Sequence, residues 1–293
     1  MRHLTASYLL ISLVASGGAF QRLPADEPGT EQAHDEGRAA EALALTREIA
    51  QSLHFYGGED RTTKLRLVDS PVMRFSNPVV GEFYAHLFIW TNQGRPEAAV
   101  SIQNWYSPRR ALHLELQSLA TRPLTAEYKQ QRFWDPGEAG VTLTVIPDSP
   151  VPAPAAPARL REMRQLAREF NVRIKAVNRG GDIDEELRLL AQPIYRYASN
   201  DSAVRDGAIF AFVRGTDPEL LLLIEAHGRN GSVTWQYAFA PMNSFEFHAF
   251  HRNHEVWQKP QLAPPWPNVF DPSKAYMLII DFDKKFSTND NAP

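Results

Sequence analysis

The strongest constraint on the fold is an internal echo. Glu186–Glu225 (ELRLLAQPIYRYASNDSAVRDGAIFAFVRGTDPELLLLIE) and Lys64–Gln103 (KLRLVDSPVMRFSNPVVGEFYAHLFIWTNQGRPEAAVSIQ) align without a gap at an offset of 122. Leu65, Arg66, Leu67, Pro71, Arg74, Phe88, Pro96, Glu97 and Ile102 meet Leu187, Arg188, Leu189, Pro193, Arg196, Phe210, Pro218, Glu219 and Ile224, which is 9 identities in 40 positions. Apolar or aromatic residues also face each other at Val68/Leu190, Val72/Ile194, Phe75/Tyr197, Leu87/Ile209 and Trp90/Phe212. A gap-free echo with a repeated Pro-Glu points to duplication, so the fold must be one that two copies of a single supersecondary plan can build.

Each copy carries the same order of signals. Ala39–Leu53 is rich in helix formers with Leu43, Leu45, Ile49 and Leu53 near helical spacing, and Gly57-Gly58 reads as its end. Strands are expected over Lys64–Phe75 (interrupted at Pro71), Phe83–Thr91, Ala98–Trp105, Ala111–Leu119, Glu127–Trp134 and Val141–Ile146. After a proline-rich stretch the plan restarts. Arg159–Phe170 is helical, and strands follow over Glu186–Tyr197, Gly207–Val213, Leu220–Ala226, Val233–Pro241, Ser244–His251 and Tyr276–Asp281. The expected class is α+β: two degenerate repeats, each a helix followed by a mostly antiparallel five- or six-stranded sheet. Ala208–Val213 and Leu220–Ile224 are apolar at nearly every position, so those strands should be buried on both faces, the second face covered by the other half. A continuous sheet and a face-to-face packing both satisfy this.

The expected segments are a secretory signal over 1–19, a polar spacer over 20–38, lobe 1 over 39–146, a proline-rich linker over 147–158, lobe 2 over 159–282 and a polar tail over 283–293. Arg2 and His3, the apolar run Tyr8–Val14 and the small residues Ala15–Ala19 carry the signal reading, which implies a secreted or periplasmic location. The apolar run is too short for a stable transmembrane helix, and no other segment reaches spanning length. The chain has no cysteine, which removes disulfides, thiol catalysis and cysteine metal sites. A formal net charge of -3 gives nucleic acid no electrostatic support as a partner.

The run DGAIFAFVRGTDPELLLLIEA (Asp206–Ala226), with LRLLAQPIYRY before it and WQYAFAPMNS and EVW after it, resembles a family of uncharacterised secreted proteins of planctomycete bacteria. The likeness is strong over the C-terminal half and weak over the N-terminal half. It implies export and brings no catalytic residue, cofactor or ligand with it.

Candidate site residues fall into few groups. His248, His251 and His254 (FHAFHRNH) are imidazoles of the type that bind zinc or copper, but a strand puts His251 on the opposite face from the other two unless the chain turns at Arg252-Asn253. The alternative is a solvated strand and turn. Arg66/Arg188 and Arg74/Arg196 are duplicated; they either flank a shared groove for an acidic ligand or pair with carboxylates on a strand's outer face. Trp266 and Phe270 sit in a proline-stiffened insertion of the second copy, offering either a contact surface for sugar or protein or a lid on the core. Asp182, Asp184, Glu185 and Glu186 form an acidic run without the EF-hand spacing. No G-x-S-x-G, P-loop or G-x-G-x-x-G occurs. The expectation is therefore a secreted or periplasmic binding or interaction protein without catalytic activity or cofactor, its partner a protein or carbohydrate. The alternative is an extracytoplasmic enzyme of hydrolase class with its site between the two lobes.

Overall fold

The computed structural model describes residues 28–58, 60–77, 81–176, 182–199, 204–228, 232–262 and 269–286. The expected signal and Trp266 lie outside them. The described residues from Ala39 onward form one compact unit.

Helix α1 spans Pro28–Ser52, beginning inside the stretch read as a spacer. Pro28 suits a first helical turn, and Glu31, Gln32, Ala33, Glu36, Arg38, Ala39 and Ala40 are mostly good helix formers. Strand β1, Leu53–Gly57, follows with no intervening loop, and its burial alternates as a strand's should. Gly57-Gly58 therefore ends a strand, not the helix. The chain continues through β2 (Thr63–Lys64), β3 (Arg66–Leu67), β4 (Met73–Phe75), β5 (Phe83–Asn92), β6 (Arg95–Trp105), β7 (Ala111–Ser118), β8 (Thr125–Tyr128), β9 (Gln131–Trp134) and β10 (Thr144–Val145). Helix α2 (Ala156–Ala167) starts within the proline-rich stretch. After it come β11 (Phe170–Ala176), β12 (Ile183–Glu186), β13 (Arg188–Leu189), β14 (Tyr195–Tyr197), β15 (Val204–Arg214), β16 (Asp217–His227), β17 (Thr234–Pro241), β18 (Glu246–His251), β19 (His254–Lys259), β20 (Tyr276–Ile279) and the short α3 (Phe282–Lys285).

The class is mixed α and β with antiparallel pairing, but the strands make four sheets, not one per half. Two are four-stranded, in the orders β2-β1-β8-β9 and β12-β11-β18-β19. Two are six-stranded, in the orders β20-β7-β6-β5-β3 with β4 also on β5, and β10-β17-β16-β15-β13 with β14 also on β15. Bulges interrupt the long hairpins at Trp90/Thr91 and at Phe212/Val213, 122 positions apart.

The large sheets pack face to face. Leu87, Ile89 and Ala99 of one meet Ile209, Ala211, Val213, Leu221 and Leu223 of the other in a shared core. The residues between these point the other way. Ala208, Phe210, Phe212, Leu220, Leu222 and Ile224 pack against Met163 and Leu166 of α2 and against Val172 and Phe247 of the small sheet. Phe88, Trp90, Val100 and Ile102 likewise meet Ala50, Leu53, Phe55 and Trp134. Both faces of β15 and β16 are thus filled, as their unbroken apolar pattern requires.

The last strand of each large sheet comes from the other half of the chain. β10 pairs with β17, Thr144 opposite Tyr237. β20 pairs with β7, Tyr276 opposite Gln117 and Ile279 opposite Leu114. To reach β17, the segment before β10 crosses the end of β7 at Gly140. Its amide donates to Ala120 O at 2.9 Å, and a Cβ there would lie 2.0 Å from Ser118 O. Only glycine fits so close an approach.

Because each half completes the other's sheet, denaturant should unfold Ala39–Pro293 in one transition. Leu223→Ala, at the centre of the shared core, should lower stability by about 2–5 kcal/mol with that single transition retained. Two separate transitions in equilibrium denaturation would show that the halves stand alone.

Candidate functional site

A cavity of about 470 Å³ opens where the exchanged strands meet the second small sheet. Its walls come from Gln117 of β7, Gly140–Thr142, Tyr237 and Phe239 of β17, Val256, Trp257 and Lys259 of β19, and Lys274–Tyr276. The volume is that of a small-molecule site. The Lys274 side is fixed by the backbone: Ser118 N donates to Ala275 O at 2.9 Å, Asp135 N to Pro272 O at 2.8 Å, and Trp134 Nε1 to Lys274 O at 2.8 Å. On the opposite wall Trp257 packs on Phe239 at 5.3 Å between ring centres.

Lys259 is the unusual group. It ends β19, an edge strand, opposite Phe247, and its ammonium lies 5.9 Å from the Phe247 ring centre and 5.3 Å from that of Tyr276. It donates a hydrogen bond to Asn243 O at 3.3 Å, and it has no carboxylate partner among the described residues. Burial without a counter-charge pulls its pKa from the usual 10.5 down to about 8. Lys274, exposed at the rim, is a second cation; Glu138 is the carboxylate lining the cavity. Gln117 is almost wholly buried, and its amide donates to Ser118 O at 2.7 Å.

Asn243 and Tyr276 also touch a group of carboxyls behind the cavity. The Asn243 amide donates to Glu219 Oε2. The Tyr276 hydroxyl lies 3.2 Å from Glu115 Oε1, and Gln103 Nε2 donates to Glu115 Oε2 at 2.9 Å. Burial, and then the charges of Asp217 and Glu219, raise Glu115 well above the usual carboxylate range. Burial pushes Asp217 up to about 7 against the pull of Arg214. Glu219 goes to about 8 through burial and then the neighbouring Asp217. By the offset of 122, Asp217 and Gln103 correspond to Arg95 and Glu225 at the other end of the shared core. There the charges are opposite: Arg95 Nε donates to the fully buried Glu225 Oε1 at 2.9 Å, which also accepts from the Tyr197 hydroxyl at 2.7 Å.

The residues singled out in the sequence lie elsewhere. The chain does turn at Arg252-Asn253, setting His251 opposite His254. His251 is nonetheless buried against Glu169, 3.0 Å away, and His248 lies between Glu246 at 2.7 Å and Glu255 at 2.5 Å. Hydrogen bonds to Glu246 and then Glu255 raise the pKa of His248, favouring the protonated form, which cannot ligate a metal. His254 is exposed, and no group able to hold a metal is found among the described residues. The acidic run forms β12, with Asp184 paired to Arg173 and Glu185 to Arg214.

Nor do the four arginines share one groove. Arg196 and Arg159 clasp the buried Asp206, and Arg196 also donates to Ala156 O at 2.6 Å, tying down the start of α2. Arg188 donates to Gly215 O at 2.9 Å. Arg74 stands opposite His86. Arg66 lines a separate cavity of about 390 Å³ with Tyr195. Phe270 is half-buried in a short turn. Sequence reasoning missed Lys259, Lys274 and Gln117. A single lysine before Pro260 has no motif, and its setting is made by a strand from another part of the chain.

No protein-family model, curated protein or solved structure matches this chain.

The carboxyl group sets a pH dependence. Folding raises the pKa of Glu219 from 4.5 and of Asp217 from 3.8. The folded state therefore holds protons that the unfolded state has released, and this contribution to stability is full below the unfolded values and lost as pH rises through about 7–8. Urea midpoints should fall between about pH 5 and pH 8.5, and fall less in Glu219→Gln. An identical slope in the variant would refute the assignment.

Proposed function

We propose that the chain is an exported binding protein that takes a small organic acid into the cavity at Lys259. The observation that carries this reading is the lysine itself. A half-buried ammonium with no carboxylate partner among the described residues is a standing cost to the fold, and an anionic ligand would relieve it. Lys274 at the rim adds charge of the same sign, and Trp257, Tyr237 and Phe239 offer apolar walls for the body of the ligand.

Export rests on the basic start, apolar centre and small residues of Met1–Ala19, and on the likeness to secreted proteins. No described helix is long and apolar enough to cross a membrane. The duplication reading, with lobes over 39–146 and 159–282, is supported by the matching strand orders and by the bulges 122 positions apart. A paired-carboxylate glycosidase would need two carboxyls facing a cleft. Glu115, Asp217 and Glu219 lie behind the cavity wall, which favours binding over hydrolysis.

Thermal melts of the chain from Phe20 onward test this. Small monocarboxylic and uronic acids should raise the midpoint, by about 2.7 kcal/mol of stability at a hundredfold excess over Kd, where the matching neutral sugars do not. Lys259→Met should abolish the shift yet melt higher than wild type at pH 7, because it removes a buried charge. Affinity should fall as pH rises through about 8, where the amine loses its proton. Equal shifts with neutral and acidic compounds, or none, would refute the reading.

A further inference from the structure

We propose that Lys259 is a nucleophilic amine and that the cavity's natural ligand is an oxo acid, a small carboxylate carrying a ketone or aldehyde carbonyl, held through an imine. This rests on the binding reading above and names its ligand class.

The geometry separates two cations by depth. Lys274 is exposed at the rim, where it meets a carboxylate in water. Lys259 lies deeper, between the rings of Phe247 and Tyr276, with one carbonyl oxygen at 3.3 Å. A salt-bridged lysine keeps its proton. One set among rings without a counter-ion releases it readily, and burial here acts in that direction. The titratable groups around it are Glu138 and Lys274 on the cavity wall, Tyr237 on β17, Tyr276 on β20, and Glu115 beyond the Tyr276 hydroxyl. Burial raises the pKa of both the Tyr276 phenol and the Glu115 carboxyl, which favours their proton-bearing forms, and the Tyr276 ring lies beside the amine.

The step balances without an added reactant. The neutral amine of Lys259 adds its lone pair to the carbonyl carbon as the C–O π bond breaks. The oxygen takes a proton and nitrogen loses one, giving a carbinolamine. Protonation of the hydroxyl by the neighbouring acid then expels water as the C=N bond forms, and the iminium N–H returns that proton to the acid's conjugate base. The products are the imine and one water, and the ligand's carboxylate stays with Lys274.

Incubation of the chain from Phe20 onward with pyruvate and sodium cyanoborohydride tests this, with lactate, which has the acid but no carbonyl, as control. Intact mass and peptide mapping should show a reduced pyruvate adduct on Lys259, formed at least about tenfold faster than on surface lysines and faster at pH 8.5 than at pH 6. An excess of lactate should slow it. Lys259→Arg keeps the cation and should retain a thermal shift with lactate while losing the adduct. If that variant does not fold, lactate competition in the wild-type protein still decides. Thermal shifts with pyruvate and lactate alike, with no adduct or an even spread over lysines, would overturn the imine and leave the binding reading standing. No shift with either acid and no adduct would overturn both.

Discussion

The seam between the two large sheets governs this molecule. Leu221, Leu223, Ile209 and Ala211 on one side and Leu87, Ile89 and Ala99 on the other are fully buried in it. The alternate residues of the same strands fill separate cores beneath α2 and beneath the helix–sheet layer of the first half. A strand with two apolar faces has no stable exposed state, so neither large sheet can stand without its neighbour. The exchange of β10 and β20 follows the same logic: each large sheet needs one more strand, and the other half supplies it.

What happens at the ends of the seam depends on a few side chains. At one end Arg95 meets Glu225, and the buried pair is charge-balanced. At the other, Asp217 occupies the position of the arginine and Gln103 that of the glutamate, so Glu115, Asp217 and Glu219 gather with only the exposed Arg214 as a nearby cation among the described residues. Low dielectric and mutual repulsion then favour their protonated forms. The nearby Lys259 gains a carbonyl from Asn243 and two aromatic rings, but no carboxylate among the described residues. The seam thus has a closed, balanced end and an open end with a cavity and a lysine without a carboxylate partner among the described residues.

Much of the fold can be read in the sequence because its hydrophobic patterns are strong. The helices near Ala39 and Arg159, the long hairpins and the double-faced burial of Ala208–Val213 and Leu220–Ile224 all follow from periodicity. β1 and β11 escape it because Leu53 and Phe170 fit the end of a helical stripe as well as the start of a strand. The exchange of Thr144–Val145 and Tyr276–Ile279 cannot be read at all, since pairing partners are set by three-dimensional packing and not by local pattern. The site is less legible still. His248, His251 and His254 look like ligands in one dimension, yet Glu169, Glu246 and Glu255 engage two of them. Lys259 is unremarkable in sequence and becomes distinctive only where β20 brings Tyr276 beside it.

Lys259 is a half-buried amine without a counter-charge among the described residues. The most direct test is its own titration, followed through the carbon-13 shift of Cε by NMR and assigned with Lys259→Arg. A pKa of about 8 in the free protein, rising toward 10.5 when a carboxylic acid is bound without forming an imine, is the predicted result. A value at 10.5 in the free protein would contradict it, because the lysine would then be as well solvated or neutralised as any on the surface.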